Sequence, residues 1–125
     1  MIFGIGTDIV EVKRIQNLSS ISKFAKKILS QNELNIFNSL NQDKKVYFLS
    51  KQFAAKEAIS KALGTGIGHE ANLKNIEILR DEKGKPFFNP IDELSVHMSD
   101  LGITKTHVSL SDESNYAIAM VILEK

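Results

Sequence analysis

Apolar residues near the start of the chain recur at the three- and four-residue spacing of amphipathic helices. This spacing predicts a short first helix over residues 12–18 and a second helix over residues 21–29. Ser30 followed three residues later by Glu33 is a capping-box pattern, and it predicts the start of a third helix. The first forty residues are therefore expected to be largely helical after an opening strand.

The longest helical pattern is expected to form the core of the fold. It begins near Asp43 and runs to Leu63, and Gly64 after it fits the left-handed residue that ends many helices. Alanine, the strongest helix former, recurs through its second half. The positions predicted to face inward are Val46, Leu49, Phe53 and Ile59.

Strands are predicted where β-branched and aromatic residues alternate with polar ones. These segments are residues 1–8, 73–80, 106–111 and 116–123, and a return strand begins at 86–88 after a turn at 81–85. Asn89 and Pro90 have the residue types of a helix N-cap and a first helical position, so a further helix is predicted from there to Gly102. The order of elements favours an α+β fold in which a largely antiparallel sheet packs on the long central helix.

Composition limits the classes of protein to which this chain can belong. Its 125 residues, 42% of them hydrophobic and 25% charged, are enough for one globular domain over residues 1–125 and too few for two. A formal net charge of +1 gives no general attraction to nucleic acid. No apolar stretch approaches the ~18 residues of a membrane span, and no signal-peptide pattern is present, so no membrane partner is expected. The absence of cysteine excludes disulfides and cysteine-bound zinc, and it suits a cytoplasmic protein.

Two acidic residues and one lysine are the first candidates for chemistry. Asp8 stands at the end of the predicted first strand, where a carboxylate could cap the following helix or bind a metal ion. Glu57 and Lys61 are one turn apart on the same face of the long helix. Such a pair is usually a solvated surface pair, and from spacing alone that interpretation comes first.

Glycines lie beside these candidates in both segments. The loop at residues 64–68 has little side-chain bulk, so the phosphates of a ligand could approach its backbone N–H groups. Gly4 and Gly6 mark places where another backbone or a ligand comes close. Together, the glycines near the two carboxylates are expected to leave room for a diphosphate. The simpler alternative for a glycine after a helix is a cap.

Other kinds of site find little support in the sequence. His69, His97 and His107 are too scattered for a zinc site, no serine stands in a nucleophile elbow, and no Walker-type phosphate loop is present. The carboxylates of Asp8 and Glu57 remain the best pair for a magnesium ion, which prefers oxygen ligands and keeps several waters.

Two longer motifs give the chain a family resemblance. The segment FAAKEAISKALGTGIG at residues 53–68 resembles the signature of the holo-acyl-carrier-protein synthases, which are small phosphopantetheinyl transferases. GIGTDIVEV at residues 4–12 resembles the other signature of that family, in the same order and at the same separation, and a weaker resemblance covers nearly the whole chain. It implies the phosphopantetheinyl transferase fold. It also implies transfer of 4′-phosphopantetheine from coenzyme A to a serine of apo acyl carrier protein, with release of adenosine 3′,5′-bisphosphate, in support of fatty acid biosynthesis.

The resemblance further implies roles for residues of both motifs. The family's first metal-binding aspartate falls on Asp8, so Asp8 and Glu57 would bind magnesium, and Lys61 would neutralise the leaving phosphate. Glu57, directly or through a water, is the implied base for the serine hydroxyl, which makes these three the expected catalytic residues. The implied contacts to coenzyme A are Lys61, Gly64, Thr65, Gly66 and Pro86. Family members assemble as trimers with active sites between subunits, so a homotrimer is expected.

Basic residues collect on the predicted helices of the first forty residues. This basic N-terminal face consists of Lys13, Arg14, Lys23, Lys26 and Lys27. Charge clusters on helices are most often simply solvated, and that interpretation comes first here. The functional alternative is docking of an acidic partner, which by the resemblance is acyl carrier protein. The contacts that the resemblance implies are Arg14, Lys23, Phe24 and Lys27.

Two positions depart from the family pattern. Gln52 stands where many relatives carry an arginine, which puts contact with the 3′-phosphate of coenzyme A in doubt, although Lys51 or Lys44 could compensate. Asp112 stands where many relatives carry a histidine, so no basic group is expected there. Two other functions stay open: a coenzyme A or nucleotide-phosphate binder without transferase activity, and an adaptor that docks acidic proteins through the basic N-terminal face.

Overall fold

Five strands and five α-helices lie along residues 1–125, all of which the computed structural model describes. In chain order they are β1 (Ile2–Glu11), α1 (Val12–Gln16), α2 (Ile21–Ile28), α3 (Gln31–Ser39), α4 (Gln42–Leu63), β2 (Ile76–Arg80), β3 (Pro86–Pro90), α5 (Glu93–Asp100), β4 (Lys105–Asp112) and β5 (Tyr116–Glu124). A 3-10 turn (Leu73–Asn75) precedes β2. The predicted α+β class is confirmed.

The strands form two antiparallel sheets. Strand β5 lies in the middle of a three-stranded sheet, with β1 on one side and β4 on the other. Strands β2 and β3 form a separate hairpin around the turn at residues 81–85. Alternate residues of β1 and β5 face helix α4, and the opposite face of the three-stranded sheet is exposed. The predicted packing of an antiparallel sheet on the long helix is confirmed.

Helix α4 lies at the centre of the molecule because it is buried on nearly every side. Asn41 caps its start by accepting the Lys44 N–H at 3.0 Å, and Gly64 ends it in the left-handed conformation with a φ of 82°. Both ends match the prediction. The wholly buried alanines Ala54 and Ala58 allow neighbouring elements to come close to the helix axis. None of the helices combines the length and the apolar composition that crossing a bilayer requires.

Two glycines of β1 let the strand backbone lie directly against the backbone of α4. A Cβ atom on Gly4 would stand 2.0 Å from the Ala62 carbonyl oxygen, and one on Gly6 would stand 1.8 Å from the Ala58 carbonyl oxygen. No side chain fits in either place. The space beside these two glycines belongs to the helix, so the expectation that they leave room for a diphosphate is wrong.

Strand β1 is longer than predicted and contains Asp8. Its ladder with β5 pairs Asp8 with Ala119 and continues to Glu11, which pairs with Tyr116. Helix α1 begins only after Glu11, and no side chain caps it. The interpretation of Asp8 as a helix cap is therefore wrong, because the pairing partners that extend the strand lie more than a hundred residues further along the chain.

Strand β3 also continues beyond its predicted end. Pro90 pairs with Ile76, and the Asn89 amide donates to the Glu77 carboxylate at 2.8 Å across the hairpin. The Asn89 side chain is therefore engaged in the hairpin and caps no helix, and the predicted helix start at Asn89 and Pro90 is wrong. Helix α5 begins after Asp92, which has a φ of 54° and makes no capping bond through its side chain.

The predicted strand over residues 73–80 begins later than expected. Its first three residues form the 3-10 turn, because Asn72 accepts the Lys74 N–H at 2.9 Å through its side chain and the Asn75 N–H at 3.0 Å through its backbone. Asparagine favours such local bonds over strand pairing. The strand proper starts at Ile76.

Side chains, instead of a third strand, close the free edge of β2. Glu33 of α3 accepts the Ile78 N–H at 3.1 Å, and Gln52 of α4 donates to the Ile78 carbonyl at 2.9 Å. Glu33 also accepts the Ser30 N–H at 2.8 Å in the capping box that the sequence predicts. Because an isolated two-stranded hairpin is barely stable and an open edge leaves polar backbone groups without partners, these bonds attach the hairpin to the helices.

Lys56 of α4 completes the closure of this edge although its side chain is fully buried. Its ammonium donates to Glu33 at 2.7 Å, to the Leu73 carbonyl at 2.8 Å and to the Ile76 carbonyl. Burial lowers the pKa of Lys56, and the charge of Glu33 opposes that shift. Three acceptors match the three N–H donors of an ammonium, so the charged form satisfies the whole pocket.

Replacing Gly6 with alanine should destabilise the fold, because β1 would have to move off α4. Overpacking usually costs about 1–3 kcal/mol, and contact with rigid backbone puts this change at the upper end. Urea unfolding monitored by circular dichroism measures the loss. Gly68→Ala is the matched control, since a Cβ there meets nothing within 4 Å and its φ lies outside the left-handed region. It should be neutral or stabilise by roughly 0.4–1 kcal/mol. Equal stability of the two variants would contradict the close contact.

Candidate active site

The contact between β1 and α4 brings Asp8 to Lys61. Asp8 lies on the same face of β1 as Gly4 and Gly6, so its side chain is directed toward the helix. The Lys61 ammonium donates to Asp8 Oδ1 at 3.1 Å and to the Thr7 carbonyl at 3.0 Å. The Asp8 side chain is 17% exposed and that of Lys61 53%, so solvent reaches this ion pair.

Glu57 joins this pair from one turn earlier on α4. Burial raises the pKa of the Glu57 carboxyl, and the negative charge of Asp8 raises it further. The positive charges of Lys61 and Arg14 oppose the shift. Two carboxylates and two cations therefore interact in one place. The sequence placed Arg14 only on the basic N-terminal face, and its proximity to Glu57 was missed.

The glycine loop leaves α4 directly after this cluster. Gly64 and Gly66 have φ values of 82° and 68°, and the space where their side chains would stand is open. The Gly66 N–H donates to the Ser60 carbonyl at 3.2 Å, which folds the loop back over the last turn of the helix. Thr65 is exposed. Unlike the glycines of β1, these glycines border free space next to Lys61.

Pro86 is not part of this cluster within one chain. It begins β3 and lies in a cavity of about 300 Å³ that is lined by Asp81, Lys85, Pro86, Phe87, Thr106, His107 and Val108. None of the residues of the Asp8 cluster lines that cavity. The sequence-predicted site residues thus fall into two groups on the surface of the molecule.

The predicted contacts for an acidic partner lie next to the cluster. Lys23 and Lys27 are exposed on α2, and Arg14 is exposed on α1. Phe24 is half-buried, and its ring packs edge-on against Phe53 of α4 at 5.4 Å between centroids. Because Phe53 lies one turn before Glu57 on the same face of α4, helix α2 packs beside the face that carries Glu57.

The two departures from the family pattern have different environments. Gln52 is fully buried in the edge contacts of β2, where it also accepts an N–H of Arg80 at 2.9 Å. It is not available to a ligand. Asp112 lies 3.5 Å from the ammonium of Lys51, so position 112 itself is acidic and a lysine of α4 lies beside it. Lys44, Lys51 and Asp112 line one cavity of about 460 Å³ together with Leu40, Asp43, Tyr47 and Phe48.

The donor set of the cluster suits one type of metal ion. No group of three or more histidine, aspartate or glutamate side chains could hold a metal in this structure. Structural and catalytic zinc sites need three or four protein ligands, so zinc does not fit. Two partly exposed carboxylates whose charges interact suit magnesium, which usually has one or two protein carboxylates and completes its shell with water and phosphate. Asp8 and Glu57 could hold such an ion.

Comparison with known proteins places the whole chain in one family. The family model that matches residues 4–121 is that of the 4′-phosphopantetheinyl transferase superfamily. The chain is 46% identical to a holo-(acyl-carrier-protein) synthase of Shewanella denitrificans, with 98% of each chain covered. The chain belongs to the 4′-phosphopantetheinyl transferase superfamily. The family predicted from the two sequence motifs is confirmed.

Solved structures of phosphopantetheinyl transferases share the fold over its full length. The holo-(acyl-carrier-protein) synthase of Neisseria meningitidis superposes with a TM-score of 0.91 at 41% identity, and all of both chains is covered. The Bacillus anthracis synthase, in complex with CoA (3′,5′-ADP), has a TM-score of 0.85 at 38% identity, with 98% of this chain and 96% of that chain covered. The predicted phosphopantetheinyl transferase fold is confirmed.

The pKa of Glu57 should respond to each charge of the cluster in a defined direction. Asp8→Asn removes a negative charge and should lower the Glu57 pKa, while burial keeps it above the ordinary value. Lys61→Gln removes a positive charge and should raise the pKa further. Carboxyl carbon NMR titration measures both changes, and the exposed Asp100→Asn serves as control. An unchanged Glu57 pKa in Asp8→Asn would contradict the proximity of the two carboxylates.

Proposed function

We propose that this chain is a holo-(acyl-carrier-protein) synthase. It transfers 4′-phosphopantetheine from coenzyme A to a serine of apo acyl carrier protein, releases adenosine 3′,5′-bisphosphate and so supports fatty acid biosynthesis. Synthases of this name match nearly the full length of the chain, and the Helicobacter pylori synthase has been solved in complex with coenzyme A. The observation that carries the proposal is the convergence of Asp8, Glu57 and Lys61 beside an open glycine loop.

The reaction forms one oxygen–phosphorus bond and breaks another. The serine hydroxyl of the carrier protein attacks the phosphorus that bears the pantetheine, and the bond to adenosine 3′,5′-bisphosphate breaks. Glu57 accepts the hydroxyl proton directly or through a water. Lys61 offsets the negative charge that develops on the leaving phosphate. Positioning and charge stabilisation carry most of a phosphoryl transfer.

Asp8 and Glu57 would hold a magnesium ion, which when bound neutralises charge on the diphosphate of coenzyme A. The fit rests on their oxygen donors and on the positive charges that this structure already directs at both carboxylates. The positively charged Lys61 ammonium already donates a hydrogen bond to Asp8 Oδ1. The glycine loop, with Gly64, Thr65 and Gly66, offers backbone to the cofactor phosphates next to that ion.

The basic N-terminal face is the docking surface for the carrier protein in this proposal. Lys23 and Lys27 are exposed, and Arg14 connects the face to Glu57. Phe24 packs edge-on against Phe53, which lies one turn before Glu57 on α4. An acidic protein that docks here would bring a serine to the carboxylates without a long reach.

A homotrimer with active sites between subunits is supported by the exposed face of the three-stranded sheet. Most outward residues of β1 and β5 are apolar and exposed, with Ile5 65% and Ile9 61% exposed, although Thr7 and Glu11 of β1 also face outward. The other apolar residues are Tyr116, Ile118 and Met120. Large contiguous apolar patches on soluble proteins mark interaction surfaces. The separation of Pro86 from the cluster within one chain fits a cofactor site that a neighbouring subunit completes.

Removing either carboxylate charge should abolish most of the transferase activity. Asp8→Asn and Glu57→Gln keep size and shape, so the fold should persist while turnover falls at least about a hundredfold. The assay is mass spectrometry of apo acyl carrier protein incubated with coenzyme A and magnesium, where one phosphopantetheine adds to the carrier mass. Asp100→Asn is the control and should retain full activity.

The same assay separates the proposal from its two alternatives. Mass gain by the wild-type protein supports the enzyme. Binding of coenzyme A without mass gain would leave a cofactor-binding module, and binding of the carrier alone would leave an adaptor. Near-normal turnover in Asp8→Asn would remove that residue from the catalytic set.

Placing a charge in the apolar sheet face should dissociate the trimer. Ile118→Lys puts an ammonium at the middle strand of the face, where burial against a neighbouring subunit would be costly. Sedimentation equilibrium should give three times the chain mass for the wild type and a smaller mass for the variant. Val96→Lys, at an exposed apolar position on α5, should remain trimeric. An active wild-type monomer at assay concentration would end the claim.

A further inference from the structure

The fully buried Lys56 links helix α4, which carries Glu57 and Lys61, to residues that follow the glycine loop in sequence. Lys56 precedes Glu57 in sequence, and successive helical residues point about 100° apart around the axis. The Glu57 carboxylate therefore faces the charged cluster with Asp8 and Lys61, while the Lys56 ammonium faces the interior. There it donates to the carbonyls of Leu73 and Ile76, just beyond the segment that starts at Gly64.

The segment between Gly64 and Leu73 makes few hydrogen bonds within itself. Within residues 64–72 the Gly64 N–H donates to the Lys61 carbonyl at 3.0 Å, the Gly66 N–H to the Ser60 carbonyl at 3.2 Å and the Gly68 N–H to the Ala71 carbonyl at 3.1 Å, and Asn72 accepts the bonds of the 3-10 turn. The Thr65 hydroxyl donates to the neighbouring Gly66 carbonyl at 2.9 Å. Three of its residues are glycine, which has the largest conformational freedom of any residue. Ala71 is fully buried and Ile67 packs against the core, so the glycines at 64, 66 and 68 are held by these contacts and by the two ends of the segment.

We propose that Lys56 is a positioning residue for coenzyme A: by holding Leu73 and Ile76 against α4, it fixes the glycine loop at the distance from Glu57 and Lys61 at which the loop contacts the cofactor phosphates. The naming of coenzyme A as the ligand rests on the proposed function. The placement of the loop rests only on the contacts of Lys56.

Glu77 provides a buried carboxylate whose charge acts on Lys56 but which makes no bond to the carbonyls of Leu73 and Ile76 or to the glycine loop. It accepts bonds from the Ser30 hydroxyl at 2.6 Å, from Asn89 at 2.8 Å and from Asn32 at 3.3 Å. Like Lys56, it ties helix α3 and the β2–β3 hairpin together in the interior. None of its partners lies near the glycine loop. A purely structural role for Lys56 would therefore resemble the role of Glu77.

The experiment compares Lys56→Met with Glu77→Gln in two measurements. Amide hydrogen exchange reports the order of residues 66–71, and calorimetry reports the affinity for coenzyme A. In Lys56→Met we expect faster exchange in that segment and about tenfold weaker coenzyme A binding, the consequence of losing one or two net hydrogen bonds. The KM for coenzyme A should rise with it, while the KM for the carrier protein stays within about twofold. In Glu77→Gln the global stability should fall while loop exchange and cofactor affinity stay within about twofold.

Each outcome decides the proposal. Unchanged loop exchange and affinity in Lys56→Met, or equal changes in both variants, would overturn it. Should Lys56→Met fail to fold because it leaves Glu33 buried without its cation, Lys56→Gln keeps a donor beside Glu33 and is held to the same criteria. A wild-type protein that binds coenzyme A without transferring the group would refute the proposed function alone. One that binds no coenzyme A would refute both.

Discussion

The backbone of strand β1 touches the backbone of helix α4 at Gly4 and Gly6, and the charged cluster takes its geometry from that contact. With any larger residue the strand would stand further from the helix. Asp8 follows on the same face of the strand, and the close approach is what puts its carboxylate within 3.1 Å of Lys61. In the sequence GIGTD, the two glycines therefore determine how closely β1 approaches α4, and that approach brings the aspartate to Lys61.

Local sequence signals predicted the elements whose ends are determined locally. The capping box at Ser30 and the glycine at the end of α4 appear where the sequence indicated, because neighbouring residues supply every bond involved. The placement of Glu57 and Lys61 on one helix face also needed only helical spacing. Asp8 was harder to place, because the ladder that extends β1 past it comes from β5. The side chain of Asn89 was read as a cap for the same reason, since its partner Glu77 lies across a hairpin.

The buried polar contacts at the edge of β2 could not be foreseen from residue type, since lysine and glutamine on a helix are usually exposed. A weak signal exists in retrospect. Gln52 and Lys56 interrupt an otherwise apolar stripe on α4 whose other members are Leu49, Ile59 and Leu63, all of them buried. Polar residues within a core stripe predict buried partners. What the partners are depends on tertiary structure: here, an open strand edge whose carbonyls need donors.

The pairing of β1 with β5 also has a consequence for the order in which the molecule folds. Their register joins Ile2 to Glu124, and the backbone N–H of Lys125 donates to the Met1 carbonyl at 2.8 Å. Contacts between residues so distant in sequence form late, since closing a long loop costs entropy before any contact repays it. The backbone hydrogen bonds of helices α2 to α4 join near neighbours in sequence, so these helices can begin to form while β1 is still without a strand partner. On a ribosome, Asp8 is synthesised more than a hundred residues before its pairing partner Ala119, so its strand is fixed only after residues 116–124 have been made. The charged cluster that depends on Asp8 is therefore among the last parts of the molecule to acquire its final shape.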